Sequence, residues 1–280
     1  MIKIGTKNVE EVYIDNKPVS EIYIGKTLVY TASSKGLEFE YNSGLSGYSV
    51  LGIGSCTDTK LKIPKSYDDE TNGKLPVNYV YTYAFSNKKD LVSVKIPNSV
   101  TRIGLGAFYK CSSIKNIKIP FIGATEDGTT DTHLGHIFGA NTYGDNPSYV
   151  PTSLETVTIT GGSSIGDYAF YRCSSLKNVI IPNSVTRIKT SAFEHCTSLT
   201  SIVIPDSVTS IGYYAFLGSG LTSIEIPNSV TFIGDEAFAY CYSLTSINFG
   251  GTMEQWKKAV ENKNMNYSGK IVCSDGTING

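Results

Sequence analysis

The sequence predicts a mostly β, partly irregular solenoid with parallel strands, a small β module before it and an α/β cap after it. Three observations lead to this fold class. One string recurs at intervals of 22 or 23 residues through the middle of the chain. Each copy opens with alternating apolar and polar residues, the pattern of a half-buried strand. The two ends of the chain depart from the repeat.

An apolar residue opens each copy of the repeat. Successive openings lie 22 or 23 residues apart, except for one interval of 40 that contains 17 extra residues. A degenerate earlier copy runs from Leu61 to Phe85. The openings are Leu91, Ile114, Leu154, Leu176, Leu199, Leu221 and Leu244.

The copy that begins at Leu221 shows the chemistry of one repeat. In LTSIEI, Ile224 and Ile226 fall on one face of a strand, and Pro227 ends it by removing a backbone donor. Gly234 is expected to adopt a conformation that a side chain would resist. The other inward residues follow at gaps typical of irregular or one-turn helical backbone: Val230, Ile233, Ala237 and Phe238. Stacked copies can share a continuous core, with right-handed crossovers between strands.

The recurring string LxxIxIPxSVTxIGxxAFxxC resembles the BspA-like leucine-rich-repeat family. It is clearest in residues 91–111, 176–196, 199–219 and 221–241, and the resemblance covers about residues 59–250. Two departures are Thr160 in place of the strand proline and Ile137-Phe138 in place of Ala-Phe. The resemblance implies a right-handed leucine-rich-repeat array that serves as a surface-exposed recognition module, as in bacterial adhesins and phage proteins. It implies neither catalytic residues nor a cofactor.

Residues 1–30 have a shorter period of ten. Three short strands are predicted at residues 2–4, 12–14 and 22–24, each followed by a turn. The segment resembles N-terminal modules of phage tail and baseplate-associated proteins, which implies anchoring or oligomerisation. Alternatively, it simply begins the main domain. Residues 31–58 are predicted to form a linker and an N-terminal cap.

Residues 251–280 are predicted to cap the other end of the array. Thr252 is a candidate N-cap for a short helix that contains Trp256, which we expect to be a core residue. Residues 271–273 are expected to form a strand that ends in a turn at Asp275-Gly276.

The 17 extra residues fall within residues 121–153, in two stretches rich in Gly, Asp, Asn and Thr. This insertion carries Tyr143 and Tyr149. Insertions into repeat arrays form loops on one face, often a binding face, although a tolerated loop without a function is equally consistent with the pattern.

The cysteines favour a core without disulfides. Cys111, Cys173, Cys196 and Cys241 each stand three residues after a repeat Phe, the register of small buried side chains. Two other copies place Lys88 and Ser219 there, and the two cysteines outside the array are expected to be free thiols.

Charge and hydropathy exclude several function classes. Charged residues make up 18% of the chain and the net charge is −1, which argues against nucleic-acid binding. No apolar run is long enough to span a bilayer, so no membrane insertion is expected. The first residues, MIKIGTKNVEE, lack the apolar core of a secretory signal. Either the protein is not exported by that route, or the signal is missing from this sequence.

No arrangement of residues convincingly predicts catalysis or a metal site. Asp131, His133 and His136 form a D-x-H-x-x-H pattern, but zinc needs further ligands, and we interpret them as ordinary loop residues. His195 and Cys196 could form a nucleophilic pair, yet adjacent side chains rarely point together. The Gly-rich stretch 161–166 lacks the Lys of a phosphate loop, and the spacing of Asp127, Asp131 and Asp145 matches no calcium loop.

Candidate binding residues lie where the pattern varies. One row of outward strand positions changes between copies while its inward neighbours stay apolar, and the tyrosines near the Ala-Phe segment form a second candidate surface. The predicted ligand-binding residues are Lys95, Lys118, Thr158, Ile180, Val203, Glu225 and Asn248 in the row, with Tyr143 and Tyr149 in the insertion. The further tyrosines are Tyr109, Tyr171, Tyr213, Tyr214, Tyr240 and Tyr242.

The leading functional hypothesis is a non-enzymatic adhesion protein of a phage tail or prophage virion. Its solenoid would bind a protein or glycan of the host cell surface, and residues 1–30 would bind other virion proteins. A homotrimer would suit such a tail appendage. The alternative is a bacterial cell-surface adhesin. A glycan hydrolase hidden in the insertion is disfavoured because no suitable carboxylate pair is evident.

Overall fold

The computed structural model describes residues 33–69, 71–125, 131–261 and 264–279, together with the strands within the first 31 residues. Among those first residues, β1 (Tyr13–Ile14) pairs with β2 (Lys17–Pro18), and β3 (Glu21–Ile24) pairs with β4 (Thr27–Thr31), both antiparallel. Two of the three predicted strands therefore coincide with β1 and β3, and each is followed by a partner strand. The third, at residues 2–4, lies outside the described residues.

The remaining strands are short, and most contain two to five residues. In chain order they are β5 (Glu38–Asn42), β6 (Gly47–Gly52), β7 (Lys60–Lys62), β8 (Ser66–Asp68), β9 (Lys74–Val80), β10 (Ser93–Lys95), β11 (Arg102–Ile103), β12 (Asn116–Ile119), β13 (Thr156–Ile159), β14 (Ser164–Ile165), β15 (Asn178–Ile180), β16 (Arg187–Ile188), β17 (Ser210–Ile211), β18 (Ser223–Ile226), β19 (Phe232–Ile233), β20 (Ser246–Phe249), β21 (Lys270–Cys273) and β22 (Gly276–Asn279). The helices are α1 (Asn146–Tyr149), α2 (Met253–Ala259) and the 3-10 helices Ser43–Leu45, Leu134–Phe138 and Tyr143–Asp145.

The first sheet of the solenoid takes one strand from each of the first five copies of the repeat. Strands β7, β10, β12, β13 and β15 are parallel and lie side by side in chain order. A second block contains the parallel strands β18, β20 and β21 and is closed by the antiparallel β22. The predicted parallel array of half-buried strands is thus confirmed.

One repeat departs from this pattern. The copy that opens at Leu199 forms no strand in the first sheet and makes only a single bridge, from Val203 to Glu225. Its inward residues, Ile202 and Ile204, are nevertheless buried. The prediction of a strand here is wrong, because alternation specifies which side chains are buried and does not guarantee the backbone ladder.

A second sheet was not predicted. The segment after each Ser-Val-Thr was expected to be irregular or helical, whereas it forms the two-residue parallel strands β14, β16, β17 and β19. Near the beginning of the array, β11 pairs with β9 in the same way, and β9 also pairs with β6 of the cap hairpin. Strands of two residues are too short to show alternation in the sequence.

Ser and Thr hydroxyls connect successive repeats. The hydroxyl of Ser229 donates to the carbonyl of Val208 in the preceding copy at 2.8 Å, and Ser207 donates to Val185 at 2.7 Å. Thr209 donates in the same manner to the carbonyl of Thr186, at 3.1 Å. The Ser-Val-Thr string therefore encodes hydrogen bonds between repeats on either side of a buried valine.

Stacked phenylalanine rings and buried cysteine thiols recur from repeat to repeat along the core. The rings of Phe170, Phe193, Phe216 and Phe238 stack in sequence with centroids 5.1 to 5.5 Å apart. The thiol of Cys196 donates to the carbonyl of Phe170 at 3.1 Å. All six cysteines are free and buried, which confirms the predicted burial of the four in the repeats. Cys56 and Cys273, expected only to be free thiols, are buried as well.

Residues 251–279 contain the expected short helix, with Thr252 as its N-cap and Trp256 in the core. Thr252 and Gln255 form a capping box at the start of α2, and Trp256 is buried edge-on against Phe249, with ring centroids 5.4 Å apart. The predicted turn is shifted by one residue, because Cys273 pairs with Gly276 and leaves Ser274 and Asp275 as the two-residue loop.

The insertion is folded onto the solenoid and is not a simple loop. It contains a short 3-10 helix, Leu134–Phe138. On one side of this helix the carbonyl of Ile137 accepts a hydrogen bond from the backbone N–H of Phe108, and on the other side the N–H of Leu134 donates to the carbonyl of Ala169. The Ile137 carbonyl is the acceptor, the role that Ala plays in other copies, so Ile137-Phe138 does replace Ala-Phe. The interpretation of His133 and His136 as ordinary loop residues is wrong, since both are buried.

Asn146 fixes the insertion in place. Its side-chain oxygen accepts from the backbone of Gly135 at 3.0 Å and from Nδ1 of His133 at 2.9 Å, while its amide donates to the carbonyl of Tyr171 at 3.1 Å. His136 donates through Nε2 to the carbonyl of Ile103 at 3.1 Å. Burial lowers the pKa of both histidines, so both are neutral in the folded protein near pH 7.

Gly212 and Gly234 have a packing role that differs from the conformational role predicted. Gly234 has no left-handed φ, but a Cβ there would overlap the backbone nitrogen of Tyr213 in the preceding copy. A Cβ at Gly212 would lie 2.6 Å from the carbonyl carbon of Lys189. The absence of a side chain allows the backbones of neighbouring repeats to approach closely.

We predict that Gly234→Ala lowers the free energy of unfolding by about 1–3 kcal/mol, because the added methyl group must push two backbones apart. Urea denaturation measures this change. Lys189 occupies the same repeat position, and Lys189→Ala is the matched control, with an expected change below about 0.5 kcal/mol. Equal stability of Gly234→Ala and wild type would contradict the packing argument.

Acid should loosen the insertion before the rest of the solenoid. An unfolded histidine takes up a proton near its ordinary pKa of about 6.5. The lowered pKa of His133 and His136 in the fold therefore contributes stability that is present above that pH and is lost as pH falls below it. Hydrogen exchange, corrected for its intrinsic pH dependence, should show reduced protection of residues 131–150 at pH 5.5 relative to pH 7.5. Residues 221–244, which contain no histidine, serve as the internal control and should not change.

Candidate functional site

The predicted outward row is present in two parts. Lys95, Lys118, Thr158 and Ile180 are successive partners across the parallel strands of the first sheet. Val203, Glu225 and Asn248 are successive partners in the second block. The first sheet ends at Ile180, so the structure does not pair Ile180 with Val203, although both are exposed, at 49% and 80%.

The structure extends this row at both ends. Lys62 pairs with Lys95, and Val272, which is 39% exposed, pairs with Asn248. Sequence reasoning missed both residues because their strands lie in the degenerate first copy and in the cap. The alternation in residues 60–62 and 270–273 is the signal that could have located them.

Charge is unevenly distributed along the row. Lys62, Lys95 and Lys118 are neighbours at one end, while Asp206 and Glu225 lie at the other. The pKa of Lys95 is lowered, mainly by partial burial and to a smaller extent by the positive charge of Lys118. The acidic end borders a shallow depression of about 380 Å³, whose lining includes Ile204, Asp206, Glu225, Asn248, Phe249 and Val272.

A second surface is built from tyrosines of the insertion and of the repeats. Tyr143 stacks on Tyr168, with ring centroids 3.8 Å apart, and meets Tyr171 edge-on at 5.3 Å. Tyr149 lies against Tyr109 at 6.2 Å. We call this surface the tyrosine band; its six members are Tyr83, Tyr109, Tyr149, Tyr143, Tyr168 and Tyr171.

The band depends on Asn146, which lies between its two insertion tyrosines in the chain. The contact from Asn146 to the carbonyl of Tyr171 holds the insertion against the next repeat. Gly139 has a left-handed φ of 101°, and the ring of Tyr109 fills the space where its Cβ would lie. Local backbone geometry and one buried amide thus position both tyrosines.

Cations and hydroxyls give the band a polar character. Lys110 lies 5.0 Å from the ring centre of Tyr109, and Arg172 lies 5.2 Å from that of Tyr171. Burial, together with the neighbouring hydroxyl of Tyr143, raises the pKa of Tyr168. The surface therefore offers aromatic area, hydroxyl groups and positive charge together.

The structure splits the predicted tyrosine group. Tyr109 and Tyr171 join the band, whereas Tyr240 pairs with Tyr242 in a later repeat, with ring centroids 6.2 Å apart. Tyr213 instead contacts Phe232. Two members of the band, Tyr83 and Tyr168, were missed because nothing in the repeat pattern distinguishes them from other exposed positions.

The arrangement of His195 and Cys196 does not suit a nucleophilic pair. The Cys196 thiol is buried and donates to a backbone carbonyl, and burial raises its pKa well above the usual value. The side chain of His195 is 38% exposed. The thiol therefore stays protonated and inaccessible to a substrate.

The other chemical candidates also have structural roles. His133 and His136 each use one ring nitrogen in a hydrogen bond that fixes the insertion, and Asp131 approaches His136 only to 4.0 Å. Part of the Gly-rich stretch 161–166 forms strand β14. Asp127 lies outside the described residues. Across residues 33–279, except for 70, 126–130 and 262–263, no three His, Cys, Asp or Glu side chains are grouped to hold a metal ion.

The longest α-helix in the described part of the chain is α2, with seven residues. None of the described helices has the length and apolar character needed to cross a membrane.

Several solved structures resemble the chain. A leucine-rich cell surface protein of Faecalibacterium prausnitzii A2-165 is 26% identical with a TM-score of 0.45, and the match covers 78% of this chain and 54% of that one. The leucine-rich repeat protein of T. pallidum is 22% identical with a TM-score of 0.42, covering 82% and 96% of the two chains. The pneumococcal vaccine antigen PcpA is 14% identical with a TM-score of 0.36, covering 92% and 88%. These scores are too low to support an argument about function.

The chain spans about half the length of the F. prausnitzii protein. No curated protein matches the sequence. The profile of the BspA type leucine-rich repeat region, in contrast, matches six copies over residues 72–126 and 146–267, which is more than half of the chain. The protein is a member of the BspA-type leucine-rich repeat family.

Proposed function

We propose that the protein is a non-enzymatic recognition and adhesion protein of a bacterial cell surface, and that it binds a protein or glycan of another cell through the tyrosine band. One observation carries the proposal. Tyr143 and Tyr149, both from the insertion, pack against tyrosines of the repeats and remain exposed. The repeat family, whose members are non-catalytic binding proteins, supports a recognition role.

The chemistry of the band suits recognition. Tyrosine supplies a large contact area with few rotatable bonds, so little side-chain entropy is lost on binding. Here the rings also restrain one another, since Tyr143 stacks on Tyr168 and meets Tyr171 edge-on. Restraint before binding lowers the entropic cost of forming a complex.

The cell-surface role is favoured over the virion role. The resemblance to phage tail proteins concerns residues 1–30, and the family match begins only at residue 72. The solenoid belongs to the BspA-type leucine-rich repeat family, whose profile matches residues 72–126 and 146–267. The proposal therefore depends on residues 72–267, where the matched repeats and the tyrosine band are found.

We predict that the double variant Tyr143→Ser, Tyr149→Ser binds epithelial cell monolayers at least about tenfold more weakly than wild type, because buried interface tyrosines often contribute 2 kcal/mol or more each. Flow cytometry with the labelled protein measures this affinity. Thermal unfolding should change little, since both side chains are at the surface.

The matched control is Tyr240→Ser, Tyr242→Ser, which removes two exposed tyrosines outside the band and should leave binding unchanged. Equal binding by the Tyr143 and Tyr149 variant and wild type would show that the band does not carry recognition. Binding to bacterial envelopes but not to epithelial cells would favour the virion role and refute the cell-surface one.

A further inference from the structure

The outer face of the first three strands of the solenoid is strongly basic. Its outward row contains Lys62, Lys95 and Lys118, which are directly opposite one another on β7, β10 and β12. Lys62 is half-buried, and the other two lysines are exposed. Neighbouring strands lie about 4.8 Å apart, so the three side chains start at close and regular intervals. We call this row the lysine ladder.

Like charges directly opposite each other destabilise a sheet. The described part of the chain supplies no carboxylate within 4.0 Å of Lys95 or Lys118 to offset this repulsion. Glu155, which lies just before the next strand, already forms an ion pair with Lys177 at 3.0 Å. Among the residues that the structure describes, no ion pair therefore neutralises the charge of Lys95 or Lys118.

The other outward residues of these strands are polar. Between the buried Leu61, Val94 and Ile117, the second outward row contains Lys60, Ser93 and Asn116, which are also successive partners. The face thus combines four lysines with a hydroxyl and an amide, and these three strands present no acidic, aromatic or aliphatic residue outward.

We propose that this face binds an acidic polysaccharide, whose carboxylate or sulfate groups align with the lysine ladder and whose hydroxyl groups meet Ser93 and Asn116. A linear polymer with recurring charges matches a ladder whose own charges recur from strand to strand. The site lies outside the tyrosine band, so either site can be absent without affecting the case for the other.

The composition of the face disfavours other polyanions. Single-stranded nucleic acids are bound largely by aromatic side chains that stack on bases, and this face has none. An acidic peptide would need apolar or aromatic anchors in pockets, which a flat row of Lys, Ser and Asn does not provide. Beyond the first sheet, Asp206 and Glu225 line the depression and would repel an anionic chain, which favours the first three strands as its site.

The test compares binding of the full chain to polygalacturonate, dextran sulfate and neutral dextran at low ionic strength. The double variant Lys95→Gln, Lys118→Gln should lose about tenfold or more in affinity for at least one charged polymer, equivalent to 1.4 kcal/mol. The control is Lys257→Gln, Lys258→Gln on α2, which changes net charge equally at two exposed lysines and should bind as wild type does. Preference for polygalacturonate or dextran sulfate identifies the anionic group.

Thermal unfolding provides a second readout. Removing two like charges from the ladder should leave the variant at least as stable as wild type, so a loss of binding cannot be attributed to unfolding. Equal losses in the ladder and α2 variants would indicate attraction by overall charge and overturn the proposal. So would a lack of binding to both charged polymers, or equally tight binding to polyglutamate or duplex DNA.

Discussion

Every repeat depends on the preceding one for its structure. A strand of two or three residues cannot persist alone, so each copy is held by parallel pairing, by ring stacking and by side-chain donors that reach back to its neighbour. The hydroxyl of Ser229, the thiol of Cys196 and the ring of Phe216 represent these three contacts. Gly234 permits a close approach between its own repeat and the preceding one.

The insertion lies where this regular stacking is interrupted. The rings of Phe85 and Phe108 stack, and a second stack begins at Phe170, while within the described residues Phe138 joins neither. A 3-10 helix, two buried histidines and Asn146 replace the missing repeat contacts. The same replacement places two tyrosines against neighbouring repeats, so the break in the scaffold generates the most distinctive surface of the protein.

The repeat spacing in the sequence predicted those features of the fold that depend on that spacing. The buried residues, the first sheet, the core thiols and the helix containing Trp256 all follow from spacing or capping patterns. The second sheet was not predicted, because a two-residue strand such as Arg187–Ile188 is too short to show alternation of apolar and polar residues. The predicted role of Gly234 was wrong, because a close approach between the backbones of two repeats leaves no local signature in the sequence.

The tyrosine band could be predicted only in part. Its insertion members were identified from composition, but the contact that positions them joins Asn146 to Tyr171, 25 residues later. No repeat links these positions, so no pattern in the sequence indicates the pairing. The lysine ladder, in contrast, follows directly from the register of the strands once Lys62 is placed in the first sheet.

The central claim is that the repeats form a rigid scaffold and that recognition resides in the tyrosine band. A scan that substitutes every exposed position, and reads both folding and binding to epithelial cells from one displayed library, tests it most directly. The account predicts that substitutions which preserve folding but abolish binding cluster in the tyrosine band. A cluster at the depression beside Glu225 or within the first 31 residues would contradict it.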